Sequence, residues 1–126
     1  MHLLWQFKSE LDGRNTPEAD KFVIETIRTS TSIALTESLC DAFEPNDSRK
    51  DHWIGTAYNS DSTETLNYAF KYKAVLPTGS SVEYSVQLRL AEQYLIRAEA
   101  RAEQGAISDA QADINAIRNR AGLPNT

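Results

Sequence analysis

Residues 88–124, LRLAEQYLIRAEARAEQGAISDAQADINAIRNRAGLP, decide the fold of this chain. Apolar residues recur there at spacings of three and four, which is typical of amphipathic helices. The pattern is interrupted at Gly105 and ends at Gly122, and glycine is the residue that most often follows the end of a helix. The stretch therefore predicts two helices and a tight turn, close to the ~34 residues of a helix–turn–helix repeat. One such hairpin cannot bury both of its faces alone.

The two predicted helices span about 86–104 and 108–121. Ser108 and Gln111 have the spacing of a capping box at the start of the second helix. Arg97 and Arg101 lie off the apolar stripe of the first helix, so we predict that they form a partner-facing surface. The predicted buried faces are formed by Leu88, Ala91, Leu95, Ala98 and Ala102 in the first helix, and by Ala110, Ile114, Ile117 and Ala121 in the second.

The residues before the hairpin predict shorter elements. A short helix is expected over 36–43, with Thr36 as its N-cap, and 17–28 suits a helix or a strand equally well. Strand composition occurs at 3–8, 53–58 and 67–75, while 29–32 and 47–52 read as polar connections. We expect the strands at 3–8 and 67–75 to pair.

Together these elements predict a mainly α fold. An antiparallel helix hairpin (83–126) would pack with the short extra helix, and 1–82 would otherwise be an irregular part with a minor β-hairpin or loop region. The length of 126 residues suits one domain.

Composition excludes several classes of function. The formal charge of −5 argues against nucleic-acid binding, which needs clustered lysine and arginine. Cys40 is the one cysteine, so a CxxC metal or redox site is excluded and a buried, inert thiol is expected. The sequence has no run of ~18 apolar residues and no known catalytic motif, and the apolar stretch in residues 1–10 is too short and too soon charged to predict a signal peptide. We expect no metal site, no cofactor and no enzymatic activity.

Aromatic residues are the strongest candidates for ligand contact. Their flat rings can stack on the apolar face of a sugar, and tyrosine and tryptophan also offer a hydrogen-bonding group. Tyr58, Trp53 and, behind them, Trp5 are the candidate ligand-binding residues. The alternative is that these rings pack into the core, which is the more natural reading for the alternating strand residues Phe70 and Tyr72.

Residues 89–123, RLAEQYLIRAEARAEQGAISDAQADINAIRNRAGL, closely resemble the signature of the SusD/RagB family. In that signature Arg-Leu-Ala-Glu leads into Tyr-Leu-x-x-Ala-Glu-Ala, then a glycine turn, then Asn-x-Ile-Arg-x-Arg-Ala-Gly. Upstream, Leu39 to Phe43 followed by Glu44, Asp47 and Arg49 resembles the family's L-x-x-x-F-E-x-x-D-x-R segment. Residues 67–73 are similar to its tyrosine- and lysine-rich strand.

The resemblance implies a function. Members are non-catalytic, surface-exposed outer-membrane lipoproteins of Bacteroidetes that bind nutrients, mostly glycans, and cover a TonB-dependent SusC-like transporter. Their tetratricopeptide-like helix pairs contact the transporter. The resemblance further implies that this chain is a middle-to-late portion of such a protein, whose lipid anchor and signal peptide lie elsewhere. A second hypothesis is a tetratricopeptide-like module that binds a protein partner and no small ligand of its own.

Overall fold

The computed structural model describes residues 3–28, 31, 33–75 and 77–126, so most of the loop predicted at 29–32 lies outside the described residues. In chain order its elements are β1 (Leu3–Phe7), α1 (Pro17–Phe22), α2 (Glu37–Asp41), α3 (Ser48–Trp53), β2 (Ile54–Tyr58), β3 (Thr65–Ala69), β4 (Ser85–Arg89), α4 (Leu90–Glu103) and α5 (Ile107–Arg120). The fold is mixed rather than mainly α, which corrects the sequence-based prediction, because two small sheets accompany the helices.

The chain divides into two compact units. One unit comprises the residues up to Phe7 together with Val86–Thr126, and it contains the two long helices. The other unit is Lys8–Ser85, which contains α1, α2, α3 and the β2–β3 pair.

The predicted pairing of 3–8 with 67–75 is wrong. Strand β1 pairs with β4, and β2 pairs with β3 in a separate two-stranded sheet. The β2–β3 pair is antiparallel, with Ile54 opposite Ala69 and Tyr58 opposite Thr65. Only a short loop separates these two strands, so their pairing has a much smaller loop-closure cost than a pairing with the distant residues 3–8.

Strand β3 is shorter than the predicted strand over 67–75. It ends at Ala69 because its partner β2 begins at Ile54, directly after helix α3, so no residue of β2 lies opposite the residues that follow. The Glu83 carboxylate accepts hydrogen bonds from the backbone N–H groups of Lys73 and Ala74, at 2.8 Å for each nearest oxygen. A charged side chain thus satisfies donors for which β2 offers no partner.

Two short helices lie within segments that the sequence analysis considered, one of them undecided and one predicted as a helix. The ambiguous segment 17–28 is helical up to Phe22 and then leaves the helix, since Val23 has extended backbone angles. Thr16 caps α1 by accepting a hydrogen bond from the backbone N–H of Ala19, and Pro17 occupies the first helical turn. The short helix expected over 36–43 is confirmed as α2, with Thr36 as its N-cap.

The polar connection predicted at 47–52 is wrong, since this segment forms α3. Asp47 is its N-cap and accepts a hydrogen bond from the backbone N–H of Arg49. The same carboxylate also accepts hydrogen bonds from the Arg49 guanidinium group, the shortest at 2.6 Å, although Asp47 itself is buried. Local capping and this ion pair allow six largely polar residues to form a helix.

The helix pair predicted at the C-terminal end is present, with a shorter first helix and a second helix that begins and ends one residue earlier than predicted. α4 begins at Leu90 because residues 85–89 extend as β4, and a short turn around Gly105 leads into α5. Gly105 and Gly122 have φ values of +77° and +79°, which confirms that both helices end in the left-handed conformation. The predicted capping box is wrong: the N-cap of α5 is Ala106, and it makes no side-chain cap hydrogen bond.

Small residues occupy the contact between α4 and α5. Ala98, Ala110 and Ala121 are all buried, as their place in the predicted stripes required. Leu95 and Ile114 were predicted to be buried as well, but they are 49% and 37% exposed. Leu88 and Ala102 of the first stripe are also exposed, so the hairpin buries each stripe only in part and leaves aliphatic side chains open, as expected of a single repeat.

Candidate functional site

Tyr58 is the most exposed of the aromatic residues that lie in the strands of the Lys8–Ser85 unit. It ends β2, and it is 52% exposed. Alternation along the strand places Tyr58 and Thr56 on one face, opposite Thr65 and Asn67 of β3. The Thr56 hydroxyl donates to the Asn67 side-chain oxygen at 3.0 Å. The Asn67 amide nitrogen donates to the Cys40 sulfur, so the groups that share this face with the open ring and can bind a polar ligand are the Thr56 and Thr65 hydroxyls.

The loop after Tyr58 is held by its own side chains. The Asn59 side-chain oxygen accepts a hydrogen bond from the backbone N–H of Glu64 at 3.0 Å, and its amide nitrogen donates to the Thr63 hydroxyl. The Thr63 hydroxyl in turn donates to Asp61 at 2.7 Å. This bond, together with one from the Thr63 backbone N–H, lowers the pKa of Asp61. The loop is therefore pre-organised and holds a carboxylate close to Tyr58 in sequence.

Trp53 lies at the opposite end of β2 from Tyr58. It is the last residue of α3, it is half-buried, and its carbonyl accepts a hydrogen bond from the Phe70 backbone N–H at 2.7 Å. Five steps of extended chain separate the two residues, or about 16 Å at the usual rise per residue. One sugar ring cannot contact both side chains at that separation, so they represent separate contacts.

Trp5 belongs to the other compact unit. It lies in the middle of β1 and is 57% exposed. Phe7 lies two residues further along the same strand face and is 55% exposed, and the two ring centroids are 5.6 Å apart at an interplanar angle of 57°. Sequence reasoning did not single out Phe7, although its spacing of two from Trp5 is the signal of a shared strand face.

The remaining strand aromatics pack against neighbours. The Tyr68 ring lies over Gly55 on the opposite strand, where a Cβ atom would overlap it. Phe70 meets Tyr68 edge to face, with ring centroids 5.5 Å apart. This agrees with the alternative that alternating strand aromatics pack into the fold, and it leaves Tyr58 as the aromatic residue of this hairpin that faces outward.

Arg97 and Arg101, the predicted partner-facing residues, both bind Asp113 of α5. Arg97 makes two hydrogen bonds to the carboxylate, at 2.9 and 2.7 Å, and Arg101 makes one at 2.6 Å. Their side chains remain 54% and 33% exposed, while that of Asp113 is 4% exposed. The two arginines thus join α4 to α5 along one edge of the hairpin, and their role in binding a partner stays a prediction.

Electrostatics reinforce this cluster. Hydrogen bonds from Arg97, and then from Arg101, hold the pKa of Asp113 below its usual value, although burial opposes the shift. The same bonds raise the pKa of Arg97. Asp113 was not identified from the sequence. An acidic residue between Ala110 and Ile117, on the predicted buried face, is the signal that could have indicated a buried ion pair.

The part of the chain that the structure describes offers neither a metal site nor a membrane-spanning helix. No group of three or more histidine, cysteine, aspartate or glutamate side chains is arranged to hold a metal ion there. In the same residues no helix combines the length and the apolar character needed to cross a membrane. Cys40 is buried, as predicted.

Comparison with known proteins identifies one family. Residues 44–126, about two thirds of the chain, match the family model for SusD_RagB, described as the SusD family. The matched segment contains Trp53, Tyr58 and the helix hairpin, and it excludes Trp5. No curated protein matches the chain significantly, and neither does any solved structure.

Proposed function

Because the chain belongs to the SusD family, we propose that it binds glycan without catalysis at the bacterial cell surface. Members of this family are binding proteins that take part in nutrient uptake. A binding role, unlike catalysis, requires only exposed groups that recognise the ligand. The observation that carries the proposal is the match over residues 44–126, which includes the β-hairpin bearing Tyr58.

Tyr58 is the central contact in this proposal. Its exposed ring offers stacking area to the apolar face of a sugar, and Thr56 and Thr65 on the same sheet face offer hydroxyl groups. Trp53 would add a second contact further along the ligand, since it lies at the other end of β2. Trp5 and Phe7 form a separate exposed ring pair, which we rank behind Tyr58 because it lies outside the matched segment.

The proposed partner is a SusC-like TonB-dependent transporter, to which the protein would deliver oligosaccharide. The proposed location is the outer face of the outer membrane, with attachment through a lipid anchor as in other family members. In the tetratricopeptide-like reading of α4 and α5, the edge formed by Arg97 and Arg101 faces the transporter. Both side chains retain exposed surface beyond their bonds to Asp113, which supports this assignment.

Affinity electrophoresis in gels that contain individual polysaccharides tests glycan binding directly. We expect at least one glycan to retard the protein and Tyr58→Ala to abolish the retardation. Tyr58→Phe is the matched control, because it keeps the ring and removes only the hydroxyl, so it should retain most of the binding. Unretarded migration of the wild-type protein in every gel of a broad panel would contradict the proposal.

A second candidate function is a protein-binding module without its own small ligand. It is favoured by the open aliphatic side chains of the hairpin, where Leu95, Ile107 and Ile114 are 49%, 55% and 37% exposed. Exposed aliphatic side chains on one hairpin offer apolar surface to a protein partner. Paired variants separate the two functions. Loss of glycan binding only in Trp53→Ala and Tyr58→Ala favours the first, whereas loss of transporter binding only in Arg97→Ala and Arg101→Ala, from a chain that binds no glycan, favours the second.

A further inference from the structure

A cleft of about 380 Å³ lies in the Lys8–Ser85 unit. Its volume falls in the range of roughly 300–1,000 Å³ that is usual for small-molecule sites. Most of its lining precedes the segment matched by the family model. Its charged and aliphatic lining residues include Asp20, Lys21, Ile24, Glu25, Arg28 and Val75.

Backbone hydrogen bonds hold the chain segment that forms one wall of the cleft. The Ile27 N–H donates to the carbonyl of Tyr58 at 3.1 Å, which attaches the segment to the end of β2. One residue further on, the Arg28 N–H donates to the Thr31 hydroxyl at 2.9 Å, and the Thr31 N–H donates to the Arg28 carbonyl at 2.8 Å. These bonds position Ile27, Arg28 and Thr31, which reduces the entropy that a ligand would have to remove on binding beside them.

The wall that contains Val75 is also held in place. The two residues immediately before it, Lys73 and Ala74, donate their backbone N–H groups to the Glu83 carboxylate. Charge-assisted bonds of this kind are stronger than bonds between neutral groups. Val75 is half-buried at this wall, so it presents a positioned apolar surface to the cleft.

The charged lining residues are available for a ligand. Across the described ranges, the side chains of Asp20, Lys21, Glu25 and Arg28 form none of the ion pairs and none of the side-chain hydrogen bonds. All four are at least partly exposed to solvent. Carboxylates accept hydrogen bonds only, whereas ammonium and guanidinium groups donate only. The cleft therefore presents both kinds of group together, with a formal charge of zero over these four residues.

We infer that this cleft is a subsite for one ring of a neutral saccharide. A sugar hydroxyl both donates and accepts, so neighbouring hydroxyls can donate to Asp20 or Glu25 and accept from Lys21 or Arg28. The C–H groups of the ring match the aliphatic side chains of Ile24 and Val75. Balanced lining charges give no net attraction to an anionic or a cationic sugar. The inference rests on the proposed glycan binding and extends it to a second place in the same unit.

The test titrates the ¹⁵N-labelled full chain with four neutral hexasaccharides, namely maltohexaose, cellohexaose, xylohexaose and mannohexaose, while amide chemical shifts are recorded. At least one of them should shift the backbone amides of residues 24–28. Glu25→Ala and Arg28→Ala should each raise the dissociation constant for that sugar at least tenfold. Glu10→Ala and Arg14→Ala are matched controls on exposed residues outside the cleft and should change it less than twofold.

Salt and charged probes give a second readout. Hydrogen bonds to neutral hydroxyls contain no pair of full charges, so raising sodium chloride from 50 to 500 mM should change the affinity less than about threefold. Preferential binding of tetragalacturonate or of the tripeptide Lys-Ala-Glu, with affinity that falls steeply in salt, would overturn the inference.

The outcomes also separate this inference from the proposed function. If Tyr58→Ala abolishes binding of a neutral sugar while Glu25→Ala and Arg28→Ala leave it unchanged, the cleft is not a subsite and the proposed function stands. If the wild-type chain binds no saccharide in this panel or in the polysaccharide gels, both fail. Circular dichroism of each variant shows whether the fold is retained.

Discussion

Arg97 binds Asp113 across the helix hairpin in a bidentate arrangement, Nε to Oδ2 at 2.9 Å and Nη2 to Oδ1 at 2.7 Å. Arg101 binds the same carboxylate from one turn further along α4. A nearly buried carboxylate with two guanidinium partners is more strongly bound than an exposed surface pair. This cluster fixes the position of α4 relative to α5.

Replacement of Asp113 should destabilise the hairpin. Asp113→Asn keeps the size of the side chain but removes the charge that both arginines bind, so two guanidinium groups lose their shared partner. We expect the melting temperature of the chain to fall by at least about 5 °C, measured by circular dichroism at 222 nm. Asp109→Asn on the same helix is the matched control, since Asp109 is exposed, and it should shift the melting temperature by less than about 2 °C. Equal shifts in both variants would contradict a special role for Asp113.

Acid should weaken the same contact. The pKa of Asp113 is lower in the folded chain than the ordinary value near 3.9, so its ionised form contributes stability above that value. This contribution is lost as the pH falls through the lowered pKa of the folded state. Between pH 5 and pH 2 the wild-type hairpin should therefore lose more stability than Asp113→Asn, as followed by urea unfolding at each pH. Parallel pH profiles for the two proteins would show that Asp113 is not responsible.

Gly55 should resist substitution because of the ring that covers it. A Cβ atom at Gly55 would overlap the Tyr68 ring, so Gly55→Ala must displace that ring from its edge contact with Phe70. We expect a loss of about 1–2 kcal/mol in the free energy of unfolding, with a changed near-ultraviolet tyrosine signal. Gly79→Ala is the control, because nothing lies within 4 Å of a Cβ atom there. The cost of Gly55→Ala should shrink in a Tyr68→Ala background, and an unchanged cost there would contradict the mechanism.

Gly105 should resist substitution for a different reason. Its φ of +77° is in the left-handed region, while nothing lies within 4 Å of the position that a Cβ atom would take. Gly105→Ala should therefore cost about 1 kcal/mol through backbone strain alone, measured as a shift of the urea midpoint without a change in slope. Gly105→Asn should cost less, because asparagine adopts this conformation more readily. A larger loss for asparagine than for alanine would show that space rather than backbone strain limits this site.

The sequence predicted the hairpin well because its signals are local. Helical periodicity and glycine at each helix end lie within the stretch that they specify, and both glycines have the expected conformation. The capping box failed since α5 begins at Ile107, one residue earlier than predicted, so Ser108 lies inside the helix rather than at its N-cap. Helix α3 was missed because its start depends on Asp47 acting as both N-cap and partner of Arg49.

Strand pairing and the site were less predictable because they depend on contacts between distant residues. Composition identified strand segments at 3–8 and 53–58, but β1 pairs with residues just before α4, which no local pattern indicated. Tyr58 was identified as a candidate and lies exposed on β2. The cleft residues around Glu25 were not identified as candidates. Their segment changes from helix to extended chain at Val23, and its position depends on the hydrogen bond between the distant residues Ile27 and Tyr58.

Isothermal titration of the full chain with the neutral oligosaccharides tests the central claim most directly. Glycan binding predicts saturable heat for at least one of them, with a one-to-one stoichiometry, and loss of that heat in Tyr58→Ala but not in Tyr58→Phe. Absence of saturable heat with every oligosaccharide and polysaccharide tried, from a chain whose circular dichroism shows intact helices, would contradict the assignment of this chain as a glycan-binding protein.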